Sequence, residues 1–202
     1  LAHPFDDGTA ALLERSTEAT GRTLGRDAEA YRALIDPLVA RWDALMPQIL
    51  GPILRIPRRP ILLARFGMHA LRSARALATS HFEGREARAL FAGIAAHSLA
   101  PLEAPPTAAF GLVLGIAGHA VGWPIARGGS QSIANALARL ILDHGGEIQT
   151  DAPVGSIDEL PPARAILFDV MPRRLAEIAG PALPAGYKRR LERYRHGPGV
   201  FR

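Results

Sequence analysis

The stretch from Gly122 to Thr150 constrains this chain most. It reads Gly122-Trp123-Pro124-Ile125-Ala126-Arg127-Gly128-Gly129-Ser130, then an amphipathic run to His144, then Gly145-Gly146-Glu147-Ile148-Gln149-Thr150. Ile133, Ala136, Leu137, Leu140 and Ile141 recur at three- and four-residue spacing, which predicts a helix with one apolar face. Gly145 and Gly146 predict its left-handed stop. Ser130 or Ser132 is the expected N-cap. A glycine turn, a helix, a stop and a strand form a piece of an α/β layer. The turn also places free backbone N–H groups at a helix N-terminus, where partial positive charge favours an anion. Arg127 adds a planar fork suited to carboxylate or phosphate, and the glycines admit a bulky group close to the backbone. A tight turn ahead of a helix explains the same residues.

Before this stretch the pattern is helical. Asp6 and Asp7 are expected to cap a helix over residues 9–24, ended by Gly25. Tyr31, Leu34, Ile35, Leu38, Val39, Trp42, Leu45, Met46 and Ile49 form the strongest helical stripe, with a kink or break expected near Ile35-Asp36 because of Pro37. Pro47, Gly51, Pro52, Pro57 and Pro60 mark an irregular crossing segment. Helices are predicted over 61–78, 84–97 and 107–120. The last lies in the longest run free of charged side chains, Ala104 to Ala126; its prolines, glycines and His119 argue for a buried helix over a membrane span. Gly111, Gly115, Gly118 and Gly122 allow either tight helix packing or the approach of a flat ligand. After Thr150, short strands are expected at 154–157 and 165–169, following one at 147–150, with helices at 172–179 and 187–195.

Composition removes several chemistries. There is no cysteine among the 202 residues, so disulfides, thiolate metal sites and cysteine nucleophiles are excluded. The histidines show no metal-ligand spacing, and no metal site is expected. No Gly-x-Ser-x-Gly elbow, phosphate loop or Gly-x-Gly-x-x-Gly fingerprint occurs. The net charge of +5 comes from scattered arginines, with Lys188 the sole lysine, and lacks the clustered basic face of a nucleic-acid binder. Leu1 to Gly8 carries aspartates and no apolar core, so no signal peptide is read there and a cytoplasmic location is expected. The start at Leu1 without methionine and the end at Arg202, inside what reads as a new strand from Gly199, make a piece of a larger protein the expectation.

Taken together, Ala2-His3-Pro4-Phe5-Asp6-Asp7-Gly8, Ala95-Ala96-His97-Ser98, Gly118 to Pro124, Arg127 to Ser130, Gly145 to Ile148 and His196-Gly197-Pro198-Gly199-Val200-Phe201 resemble the middle of a phytoene desaturase-like FAD-dependent oxidoreductase. The sub-branch they are most similar to is the bacterial relatives of pyridine nucleotide-disulfide oxidoreductase domain-containing protein 2. The resemblance implies an α+β fold, mainly α. Residues 1–122 would be a helical substrate-binding region, 123–180 part of an FAD-binding α/β domain, and 181–202 a return into the substrate domain. In such a family Pro124 with Gly128 and Gly129 would lead a helix near the flavin, and the Val154 backbone would lie near the adenine. On this reading Arg127, Gly128, Gly129, Ser130 and Val154 bind cofactor, and His119 and Trp123 lie where the substrate region meets the flavin. The family's pyrophosphate-binding glycine motif would precede Leu1 and its C-terminal FAD motif would follow Arg202. The family hairpin is shortened to residues 158–162. FAD is therefore expected in the intact parent and not on this chain alone.

The implied partner is a lipophilic small molecule whose hydride passes to flavin, the cofactor supplying the redox chemistry. No residue of the chain takes a catalytic label. Missing sheet neighbours would leave edges that favour self-association. Two other readings stand beside this one. The first is a non-enzymatic helical binding module. The second is a peripheral membrane protein using a basic amphipathic helix over 61–78 with Arg65, Arg72 and Arg75.

Overall fold

Asp6, Asp7 and Gly8 do not start a helix; they turn a hairpin. In the computed structural model, which describes residues 1–52, 56–197 and 199, β1 (Ala2–Pro4) pairs antiparallel with β2 (Ala10–Leu12). Gly8 takes φ +83°, and the Asp7 carboxylate accepts from the Thr9 amide at 3.1 Å and from its hydroxyl at 2.6 Å. Asp7 also pairs with Arg85. The helix expected over 9–24 shrinks to α1 (Thr17–Arg22), because Ser16 is the true cap and accepts from the Ala19 amide at 3.0 Å.

The chain divides into two units, Leu1–Pro124 and Ile125–Arg202. In the first, the stripe from Tyr31 to Ile49 makes two helices, α2 (Ala28–Val39) and α3 (Trp42–Ile49). Pro37 sits inside α2 without ending it; the carbonyl it leaves unpaired belongs to exposed Ala33, where water can serve. The break falls after Val39 instead. The helix expected over 61–78 is also two, α4 (Pro60–Ala70) and α5 (Ala74–His81), since Ser73 caps α5 by accepting from the Ala76 amide at 3.1 Å. α6 (Arg85–Ala95) and α7 (Thr107–Ala120) follow, α7 matching its predicted span.

α7 is the axis of this unit. It packs against α2, α4, α5 and α6, and Leu112 and Ile116 are fully buried on it. Around them Leu24, Ile35, Leu45, Leu77, Phe82, Leu90 and Ile94 are also withdrawn from water. Each such side chain contributes roughly 1.5–3 kcal/mol on burial. Two of the α7 glycines now have a role in packing. A Cβ on Gly111 would meet the Phe91 ring at 2.8 Å, and one on Gly118 would meet Leu13 at 2.8 Å. Asp27 is buried too, and its carboxylate accepts from the amides of Glu83 and Gly84 at 2.9 and 2.6 Å, fixing the entry to α6.

The second unit holds α8 (Gln131–Asp143), α9 (Pro172–Ile178) and α10 (Ala185–Glu192). Gly145 takes φ +77° and the Gly146 amide donates to Ile141 at 2.9 Å, the expected glycine stop. α9 packs on α10, burying Ala176, Ile178 and Ala179. The strands expected at 147–150, 154–157 and 165–169 are not formed; residues 157–159 instead make a short 3-10 turn boxed by Ser156 and Glu159. The strand expected from Gly199 lies outside the described residues but for Gly199 itself. The architecture is α+β and mainly α, with β1–β2 the one sheet among the described residues. Among them no helix is long and apolar enough to cross a membrane.

Candidate functional site

A hollow of about 870 Å³ in the first unit lies where the end of α3, the face of α4 and the start of α7 converge. Its size is that of a small-molecule site. Ile49, Leu63, Phe66, Leu71 and Ala109 supply carbon walls, and Gly67 lacks a side chain to fill the space. The prolines of the crossing segment, Pro52, Pro57 and Pro60, build the rim. The polar side chains on the lining are Gln48 and Arg72, and both are already engaged. Gln48 accepts from the Arg58 amide at 3.0 Å. Arg72 donates to the Ala76 carbonyl and the Ser80 hydroxyl, each at 2.9 Å. Among the described residues no carboxylate or histidine lines the hollow. What it can do chemically is enclose a hydrocarbon body, without acid–base work by its own side chains. Sequence reasoning did not single out these residues; the proline run before α4 was the available signal.

His119 and Trp123 lie at the other end of α7, ten residues beyond Ala109, or about 15 Å along the helix. His119 is buried, 6 % exposed, and faces the core. Its Nε2 lies 2.8 Å from the Tyr31 hydroxyl and its Nδ1 lies 3.3 Å from the Arg15 carbonyl. A carbonyl can only accept, so Nδ1 carries the proton and Nε2 accepts from Tyr31. Burial lowers the His119 pKa and raises that of the Tyr31 hydroxyl, so both are held neutral. Arg15 closes the end of α7, donating to the carbonyls of Gly118, His119 and Ala120. Trp123 is half exposed and stands edge-on to His97, with ring centroids 6.1 Å apart. The structure thus brings these two predicted residues near one helix end and separates them from the large hollow.

In the second unit Gly128 and Gly129 take φ +83° and +85°, which only glycine adopts readily. The turn closes on itself. The Gly129 amide donates to Ala126 at 3.0 Å, and the Ser132 hydroxyl donates to the Gly129 carbonyl at 2.7 Å. Ser130 holds the N-cap position of α8 but makes no capping bond with its side chain. Arg127, Gly128, Gly129 and Ser130 are all exposed, and a Cβ on either glycine would meet nothing within 4 Å. Val154 is half-buried, and its carbonyl accepts from Arg174 at 3.0 Å. The apolar stripe of α8, Ile133, Leu137, Leu140 and Ile141, is 46–57 % exposed, and no residue of α8 is buried.

Metal binding has no support in the geometry. Among the described residues no group of three or more histidine, aspartate or glutamate side chains could hold an ion. His69 and His81 meet edge to face, with ring centroids 5.2 Å apart, and the buried His69 Nδ1 has no described partner. The single basic helix behind the membrane reading is replaced by two. Of its arginines, Arg72 is engaged as above and Arg75 pairs with Glu103 at 3.2 Å. A scan against protein-family models, a search of curated proteins and a search of solved structures each return no match to this chain.

Proposed function

We propose that this chain is the substrate-binding region, with an adjoining cofactor-domain segment, of an FAD-dependent oxidoreductase that takes a hydride from a lipophilic substrate. One observation carries the substrate class: the carbon-walled hollow of about 870 Å³ between α3, α4 and α7. The flavin assignment rests on the family pattern at 118–130 and 145–154. The uncovered stripe of α8 and the unpaired apolar run 165–168 support a second unit that docks on sheet neighbours supplied by the parent. FAD belongs to that parent, which works in the cytoplasm; this chain alone is inactive.

Expressing the reading frame extended in both directions, beside this chain, tests the proposal through visible absorption. A yellow extended protein with a flavin spectrum, and a colourless chain of residues 1–202, is the expected result. An extended protein that stays colourless after incubation with FAD removes the oxidoreductase reading. The helical binding module then takes its place. The absence of any acid or base in the hollow favours that second reading over an enzyme acting without a cofactor.

A further inference from the structure

A second hollow, about 410 Å³, lies on the other flank of α4, between the end of α2 and the start of α3. Its floor is carbon: Leu38, Ala44 and Leu62. Its rim carries three guanidinium groups, Arg41, Arg59 and Arg65, brought from three separate places in the sequence. Among the described residues no carboxylate lines it. None of these arginines makes an ion pair with a described residue. Arg41 has only a long 3.3 Å bond to the Pro37 carbonyl. Asp36, on α2, pairs with Arg32 at 3.6 Å and does not line the hollow. Asp43 is exposed on α3 and does not line the hollow.

Like charges gathered over an apolar floor repel, and an anion between them relieves that repulsion. Guanidinium forks match phosphate and carboxylate oxygens in pairs. The site also opens at the N-terminus of α4, an eleven-residue helix whose dipole favours negative charge. A bare anion has no use for the leucine floor. A nucleic acid would require stacking aromatics, and none lines the hollow among the described residues. We infer that this hollow binds an anionic amphiphile, a phosphate or carboxylate head held by Arg41, Arg59 and Arg65 with its hydrocarbon chain lying on Leu38, Ala44 and Leu62. This site is separate from the larger hollow and does not rest on the flavin reading.

Calorimetric titration of the chain with decyl phosphate, kept below its micelle concentration, tests the inference. One saturable site is expected. The double variant Arg59→Gln/Arg65→Gln weakens it at least tenfold, while Arg22→Gln/Arg26→Gln, which removes the same charge elsewhere, leaves it unchanged. Inorganic phosphate and uncharged decyl maltoside should each bind at least tenfold more weakly than decyl phosphate. Vesicles of phosphatidylglycerol separate the two sources of such a head group. Retention lost in the Arg59/Arg65 variant places it in a bilayer; no retention, with decyl phosphate still bound, makes it a free single-chain molecule. The inference is overturned if decyl phosphate does not bind, if the double variant binds it normally, or if inorganic phosphate or decyl maltoside binds as tightly. A colourless extended protein would leave every one of these results standing.

Discussion

Residues 1–124 and 125–202 use the same local signals and reach different ends. α7 and α8 are both marked by glycine, helical spacing and a clear stop. On α7, Leu112 and Ile116 are sealed from water by α2, α4, α5 and α6. On α8, Leu137 and Leu140 remain more than half exposed. Periodicity decides that a helix forms; only a neighbouring element decides whether its stripe is buried. The first unit has its own core and hollows with carbon walls, so its geometry supports a binding role. The second has three short helices and little core, with α8 uncovered.

The largest test of this contrast compares truncations in the two units. Phe82→Ala should destabilise by about 3–5 kcal/mol in urea unfolding, because Phe82 is 1 % exposed. Leu137→Ala should change stability by no more than about 0.5 kcal/mol. Equal losses would mean that α8 is buried, and the contrast would fail. Next in size is Tyr31→Phe, which strips His119 Nε2 of its donor inside the core and should cost about 1–3 kcal/mol. A neutral result would show that water reaches His119.

The smallest effect is a pH slope. Burial is the leading cause that lowers the pKa of His3, His69 and His119 below the ordinary 6.5. The unfolded chain therefore binds more protons at these sites as the pH falls below about 6.5, and folding stability declines with it. Above that value the contribution is fully present. Thermal unfolding between pH 5 and 8 reads this directly; a flat profile would mean that these imidazoles are solvated. All three histidines lie in the first unit, so the slope should track its unfolding and not that of the second.

The span of α7 was legible because no Asp, Glu, Lys or Arg interrupts the largely apolar run between Pro106 and Gly122, and proline and glycine mark both ends. The buried set of α2 and α3 was legible from spacing: Tyr31, Leu34, Ile35, Leu38, Leu45 and Met46 are all buried. Boundaries failed where one polar side chain outranked periodicity. Ser16 and Ser73 start helices that spacing alone ran through, and Asp7 turns a hairpin where a cap was expected. The strands after Gly146 failed for a different reason. An alternating or apolar run becomes a strand only with a partner for its backbone groups, and 165–169 has none here. His119 was singled out by the family resemblance at 118–124, but sequence could not reveal that Tyr31, 88 residues away, would claim its ring. The two hollows depend on contacts among α2, α3, α4 and α7, which no local pattern encodes.

Native-state hydrogen exchange, resolved along the chain, tests the central contrast most directly. The amides of α6 and α7 should open only with global unfolding and share its free energy and denaturant dependence. Those of α8 should exchange through local opening, far faster and with little dependence on denaturant. Protection of α8 equal to that of α7 would contradict the account, since it requires a covering partner for Ile133, Leu137, Leu140 and Ile141 within residues 1–202.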